Sequence, residues 1–328
     1  MKFSALLSEK NEEGRVTSSI KMLDESDLPK GNVLVKVEWA GLNYKDGLCL
    51  NGAGGLVRNY PHVAGIDFSG VVQSSSDERY KKGDKVILTG WRVGENRFGG
   101  YAELARVEGD YLVPLPKSMS TRDAMVIGTA GLTAQLAISR LKENGLEPTS
   151  GEILVTGAGG GVGSIATLLL ANENYEVVGV TGREETKKLL MELGASTIMD
   201  RSELAESSKR VLESERWAGV IDSAGGESLG NILKQLKSGA GVALIGLAGG
   251  ATWDASVIPF IIRGVNLYGI DSVMAPFEKR QKAWKNLAQN FDQEKYAPLV
   301  SEVTLEQLPQ YGSRILKGEI MGRVIVQP

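Results

Sequence analysis

Apolar and polar positions alternate over VLVKVEW at 33–39, where Val33, Val35, Val37 and Trp39 share one face and Lys36 and Glu38 the other. This is the period-two pattern of a half-buried strand. Similar short runs follow at 66–73 (IDFSGVVQ), 84–90 (DKVILTG) and 101–107 (YAELARV), each bounded by Gly, Asp, Asn or Pro. Strands this short among turns this dense predict a small, irregular β-barrel or sandwich over the first third of the chain.

From about residue 121 the period changes. TRDAMVIGTAGLTAQLAISRLKEN predicts a helix, EILVTG a buried strand, GSIATLLLANEN a helix, EVVGVTG a second strand, and REETKKLLMELG a helix closed by Gly194. STIMD, AGVIDSAGG, GVALIGLAGG and VNLYGIDSV then read as strands, with helical segments between most of them. Six short apolar strands with intervening helices predict a parallel, doubly wound sheet. Beyond residue 275 a helix, EKRQKAWKNLAQNF, leads to short strands ending in GRVIVQP, a tail suited to rejoining the first sheet. A chain of 328 residues is also longer than one hydrophobic core usually organises, so two domains are expected.

Charge narrows the partners. With 37 Lys plus Arg against 40 Asp plus Glu, nothing draws the whole chain to nucleic acid or an anionic membrane, and any anionic ligand must be held locally. The apolar stretch in MKFSALLSEKNEEGR is too short for a signal peptide, and Arg263 interrupts VIPFIIRGVNLYGI, so a cytoplasmic location is expected. The single Cys49 and single His62 cannot supply a structural or catalytic zinc, so no metal site is expected. Both read as packing residues, His62 at a turn and Cys49 as a small buried hydrophobe.

The segment VTGAGGGVGSIA at 155–166 lies between a predicted strand and a predicted helix. Glycines there let backbone approach a pyrophosphate, while the helix N-terminus presents unpaired N–H groups to it. Ala158 stands where the first Gly of G-x-G-x-x-G would be, and Gly157, Gly160 and Gly163 fit the related three-residue spacing instead. With a second strand about twenty residues on, the pattern reads as a dinucleotide site. At the end of that strand, Val180-Thr181-Gly182-Arg183 offers a hydroxyl, a backbone N–H and a guanidinium where an NAD site would place a carboxylate. These donors suit the 2′-phosphate of NADPH, and Arg201 at the end of the third strand is a second candidate for it.

With those residues in view the chain resembles the medium-chain dehydrogenase/reductase superfamily over its whole length. Within it the chain is similar to the zinc-free, quinone-oxidoreductase-like branch and to its NADPH-dependent acryloyl-CoA reductase subgroup. The resemblance lies in LNYKDGL (42–48), YPHVAGIDFSG (60–70), LTGWRVGENRFGGYAELARV (88–107), IGTAGLTA (127–134), GLAGG (246–250), VIPFIIRGVNLYGIDSVM (257–274) and GRVIV. It implies an α/β chain in which a GroES-like, partly open β-barrel catalytic domain spans 1–121 and 290–328. A Rossmann NADPH-binding domain, a doubly wound parallel sheet, would span 122–289, with the active site in the cleft and two chains forming a homodimer.

The resemblance further implies that Asn43, Tyr44 and Asp46 are catalytic. Asp46 reads equally well as a turn or cap carboxylate. Cofactor contacts would come from Tyr44, Gly159, Gly160, Gly161, Val162, Gly163, Thr181, Gly182, Arg183, Arg201, Leu247, Ile270 and Ser272, with Arg323 closing over the cofactor from the tail. The implied reaction is hydride transfer to the β-carbon of acryloyl-CoA and protonation of the α-carbon, giving propanoyl-CoA. Donors from Asn43 and Tyr44 would stabilise the charge developing on the thioester oxygen. A CoA ester brings phosphates, for which Lys45, Arg58, Arg92 and Arg97 are the candidate cations. Two other functions fit the same residues: reduction of quinones or α,β-unsaturated ketones, and non-catalytic sensing of NADPH.

Overall fold

The alternating run at 33–39 folds as the centre of a seven-stranded sheet in the first of two units into which the chain divides. The computed structural model describes residues 1–205 and 209–328. Strands β1 (Lys2–Lys10), β2 (Val16–Asp24), β3 (Val33–Leu42), β4 (His62–Val63), β5 (Asp67–Ser75), β6 (Lys85–Thr89), β7 (Leu104–Val107) and β8 (Leu112–Pro114) build this unit, with helix α1 (Tyr44–Leu50) directly after β3. β3 pairs antiparallel with β5 and with β7, and the β5–β6–β8 arm continues the sheet. β1, β2 and β4 form a second, three-stranded sheet. Phe3, Leu6, Val35, Phe68, Val72, Leu88, Tyr101 and Leu112 pack in a single core. The register shifts between Val37 and Trp39, so Trp39 falls out of the buried row and lies half-exposed beneath the Arg122 guanidinium.

The second unit is a six-stranded, all-parallel sheet of β9 (Ile153–Val155), β10 (Val177–Thr181), β11 (Thr197–Asp200), β12 (Trp217–Asp222), β13 (Leu236–Leu244) and β14 (Asn266–Gly269). Its spatial order is β11-β10-β9-β12-β13-β14, the doubly wound arrangement in which strand order reverses beside the first strand. The connecting helices include α2 (Thr121–Glu143), which leads in, then α3 (Gly161–Asn172), α4 (Glu184–Leu193), α5 (Arg201–Ala205), α6 (Glu227–Lys234) and α7 (Ile258–Arg263). Helices α8 (Phe277–Asn290), α9 (Gln293–Tyr296) and α10 (Leu308–Leu316) and strands β15 (Val300–Val303) and β16 (Arg323–Val326) complete the chain. β16 pairs antiparallel with β3 and parallel with β15, so the tail rejoins the first sheet.

The compact units have bounds of their own, distinct from those the resemblance implies. The first comprises Met1–Thr129, Ser272–Ala288 and Leu299–Pro328, and the second Ala130–Asp271 and Gln289–Pro298. α2 is interrupted at Gly128 (φ 52°, ψ −155°), where a Cβ would meet the Arg323 guanidinium and the Asp67 carboxylate. Its first turns therefore belong with the barrel. Residues 272–288 belong there too because Arg280 on α8 is buried and donates to Thr89 O and Oγ1 at the end of β6. Tyr296, by contrast, hydrogen-bonds Ser164 of α3 at 2.7 Å and ties 289–298 to the parallel sheet's unit. α2 is also long and apolar enough to cross a membrane, which the sequence reading overlooked, but 78% of its apolar window is buried in the fold.

Candidate active site

β9 ends at Val155 beside the strand-order reversal, and its turn runs straight into α3. Gly157 turns the chain at φ 58°, and Gly160 is the N-cap of the helix. Gly159, Gly160, Gly161 and Val162 are half-exposed, whereas Gly163 through Leu170 are all buried. Apart from its last two residues, the accessible part of this helix is therefore its amide-bearing start. A Cβ on Gly163 would lie 2.4 Å from the Gly157 carbonyl oxygen, so only glycine lets helix and turn touch. A Cβ on Gly160 would meet nothing closer than that carbonyl at 3.4 Å, leaving open space above the amides. Such a cradle fits a dinucleotide pyrophosphate.

Two further residues hold this turn, and the sequence reading passed over both. Thr156 Oγ1 donates to Asp222 Oδ1 at 2.5 Å and accepts the Ser223 N–H at 3.0 Å, while Gly225 N–H reaches Asp222 Oδ2 at 3.0 Å. This latch joins the ends of the central strands β9 and β12. A carboxylate ending the apolar run WAGVID was its only trace in the sequence.

Beyond β10, Thr181 Oγ1 accepts the Arg183 N–H at 3.2 Å. Arg201 lies across Gly182, where a Cβ would come within 2.7 Å of its Nε. The fold thus brings Thr181, Gly182, Arg183 and Arg201 together. Asp200, the register partner of Thr181, is bonded to the Ser202 N–H and hydroxyl, which hold it below the usual carboxylate range. Leu247 follows β13 and is 60% exposed, and Ile270 donates its N–H to Leu244 O at 3.0 Å.

In the barrel unit, Asn43 opens α1 with its amide gripped at both ends. Its Oδ1 accepts from Arg323 Nη1 at 3.1 Å, and its Nδ2 donates to Asp46 Oδ2 at 3.2 Å, leaving a second Nδ2 hydrogen. Tyr44 next to it is 40% exposed. Asp46, expected among the catalytic residues, is completely buried and accepts from Asn43 N, Asn43 Nδ2, Gly65 N and Ile66 N. With no surface to offer a ligand, it frames the loop. Arg323 departs from expectation as well. Its side chain is 2% exposed and turned inward onto Val126 O, Leu42 O and Asn43 Oδ1, with Asp67 Oδ2 at 3.9 Å, so the guanidinium positions Asn43. Ser272 is buried, and its carbonyl accepts from Arg280 Nη2 at 2.9 Å. Of the four cations expected to meet CoA phosphates, Arg58, Arg92 and Arg97 line one cavity. Lys45 is not among the lining residues but bonds, at 3.0 Å, to Glu95, which is.

An alcohol dehydrogenase GroES-like domain matches residues 29–117, and a zinc-binding dehydrogenase domain matches 161–292. The chain is 55% identical to acrylyl-CoA reductase AcuI of Ruegeria pomeroyi, over 99% of this chain and 98% of the relative. The chain belongs to the medium-chain dehydrogenase/reductase family. Another member, the putative quinone oxidoreductase YhfP of Bacillus subtilis, is 44% identical over 99% of this chain and 98% of its own. Among solved medium-chain reductases, the yhdH oxidoreductase of Salmonella enterica in complex with NADP matches with a TM-score of 0.96 and 46% identity, over the full length of both chains. The B. subtilis yhfP structure, with NAD bound, matches with a TM-score of 0.96 and 44% identity, also over both full chains.

The zinc that one domain's description implies does not fit this medium-chain reductase. Among the described residues no group of three or more His, Cys, Asp or Glu is placed to hold a metal ion. Cys49 is buried, and burial pushes its thiol up to about 12, far from the thiolate zinc requires. His62 has Nε2 on Gly94 O at 2.9 Å and its ring edge-on to Phe98, and burial lowers its pKa. It packs, as expected, but from strand β4 and not from a turn, and it pins the distant loop at Gly94.

Proposed function

We propose that this chain reduces the carbon–carbon double bond of acryloyl-CoA to propanoyl-CoA with NADPH. The observation that carries the reading is the 55% identity to an acrylyl-CoA reductase across essentially both chains. When bound, NADPH supplies the hydride that the β-carbon receives. Gly159, Gly160, Gly161, Val162 and Gly163 hold its pyrophosphate, and Thr181, Gly182, Arg183 and Arg201 its 2′-phosphate, with Leu247, Ile270, Tyr44 and Ser272 toward the nicotinamide. Asn43 and Tyr44 are the catalytic pair. The free Nδ2 hydrogen of Asn43 and the Tyr44 hydroxyl stabilise negative charge on the thioester oxygen, and the α-carbon takes its proton from the Tyr44 hydroxyl or from water. Arg323 and Asp46 keep the Asn43 amide turned so that its nitrogen, a donor, faces the substrate.

Reduction of quinones or unsaturated ketones is the second reading, favoured by the 44% identity to a putative quinone oxidoreductase. A non-catalytic sensor is disfavoured by full-length relatives named as enzymes. NADPH oxidation measured with acryloyl-CoA, crotonyl-CoA, a quinone and no acceptor separates the three. Acryloyl-CoA is expected to give the highest kcat/KM, and a quinone matching it would transfer the assignment. The proposal includes a cytoplasmic homodimer. The homodimer part is supported by an exposed apolar face at α7 and its N-cap, where Val257, Ile261 and Ile262 are 66%, 72% and 65% exposed, just before the edge strand β14 in the chain.

A further inference from the structure

The barrel unit carries a cavity of about 470 Å³ between the loops at 55–62 and 92–98. Arg58, Arg92 and Arg97 all line it, all are exposed, and none makes an ion pair among the described residues. Two carboxylates share the lining against the three arginines, and one of them is met by a further cation. Glu95 holds Lys45 at 3.0 Å, and Asp27 accepts the Asp24 N–H at 2.8 Å. The cavity is left with a surplus of positive charge whose members repel one another.

The backbone goes out of its way to keep that surplus together. Trp91 and Arg92 are consecutive residues at φ 56° and 57°, a left-handed conformation that side-chain-bearing residues avoid and that persists where surrounding contacts enforce it. Here they do. Trp91 N–H is bonded to Val273 O, its ring is stacked on Tyr111, and the Arg280 guanidinium lies 4.8 Å from the ring centre. Arg92 O accepts from Glu95 N and Asn96 N, Gly94 N donates to Arg97 O, and His62 holds Gly94 O. The resulting tight loop places Arg92 and Arg97 on one rim, with the half-buried ring of Phe98 beside them. Planar guanidinium forks match phosphate oxygens, and an aromatic face accepts a base.

We infer that this cavity binds the phosphorylated adenosine handle of the acyl-CoA, Arg58, Arg92 and Arg97 taking its phosphates and Phe98 its base. The inference rests on the acyl-CoA reading above and adds the location of the handle. It also gives Arg92, in the GWRVGEN stretch, a use. The cofactor makes no demand on this site, since its own phosphates have the glycine turn, Arg183 and Arg201. Binding energy from a remote handle improves the orientation of a substrate as small as an acryloyl group.

The test compares acryloyl-CoA with acryloyl-pantetheine, which keeps the thioester and lacks every phosphate. Arg58→Gln/Arg97→Gln is expected to raise KM for acryloyl-CoA at least tenfold with kcat little changed, and to leave acryloyl-pantetheine as it was. Arg92→Gln, at the strained position, repeats the comparison singly. Calorimetric binding of adenosine 3′,5′-bisphosphate under saturating NADP⁺ gives a readout without turnover, and the double variant is expected to abolish it. An equal charge change on the first hairpin, Lys10→Gln/Lys21→Gln, should alter neither substrate. If the double variant affects both thioesters alike, or still binds the bisphosphate as the unaltered protein does, the handle site is wrong while the reductase reading stands. If the unaltered protein reduces neither thioester, the reductase reading fails and takes this inference with it.

Discussion

Burial and the neighbouring Asp67 charge push the Asp46 carboxyl up to about 7 from 3.8, against the pull of N–H donors from Asn43 and Ile66. Between those two values the folded chain binds the proton more firmly than the unfolded chain. The stability this confers is complete below 3.8 and lost as pH rises through about 7, on the order of 4 kcal/mol at ~1.4 kcal/mol per unit. Asp46→Asn has no such proton. Denaturant midpoints should therefore show the unaltered protein's advantage over Asp46→Asn shrinking from pH 4 to pH 8, and an advantage that grows would mean the carboxylate is favoured instead. At the other unit, Arg183→Ala should weaken NADPH by about 1.5–3 kcal/mol, roughly ten- to a hundred-fold, through loss of a charge-assisted pair with the 2′-phosphate. NADH affinity should hardly move, and equal losses for both cofactors, read by fluorescence titration, would remove Arg183 from that role. Arg183 is a candidate from the sequence alone because a missing carboxylate is visible in a string of letters. The sequence left Asp46 open between a cap and a catalytic group, and did not show that Arg323 is buried, because a buried and an exposed charge are written alike.

The β9–α3 turn separates two uses of glycine that a motif treats as one. Gly163 is needed by the protein itself, since a Cβ there would sit 2.7 Å from Ala158 Cα. Gly163→Ala should lower stability by about 1–3 kcal/mol, as overpacking does, and be seen as a lower Tm without any ligand. Gly160 has ordinary helix-start angles, φ −83° and ψ 175°, and room for a Cβ. Gly160→Ala should keep the Tm within a degree or two yet weaken NADPH at least tenfold, because the added carbon occupies the approach to the amides. Intact NADPH affinity in a well-folded Gly160→Ala protein would argue against the pyrophosphate assignment. Element positions were legible in advance to within a few residues, as at α2 and β10, because burial on one face imposes its own period on the sequence. The Thr156–Asp222 latch was not, because the two residues stand 66 apart in the chain.

For the molecule as a whole, the proposed homodimer has a direct test. Ile261→Asp/Ile262→Asp puts charge on the exposed face of α7 and should convert a dimer to monomers in sedimentation equilibrium, whereas an unaltered protein that is monomeric at micromolar concentration would dispose of the proposal. What the sequence by itself determined was the class of each half, short alternating strands first and a strand–helix alternation after, together with the glycine turn and a donor set too poor for zinc, and it offered candidates for the cofactor's phosphates. Each of these is local, carried by neighbours within a turn or a strand, so the order of letters contains it. Only the tertiary structure decided where the units part, since Gly128 is wedged against Arg323 and Asp67, and Arg280 reaches Thr89 across 191 residues. Only it gathered Arg58, Arg92 and Arg97 at one cavity with Lys45 paired to that cavity's Glu95, and buried Arg323 against Asn43. Contacts between distant segments depend on how the hydrophobic faces of whole elements bury one another, and that choice is made by the assembled core.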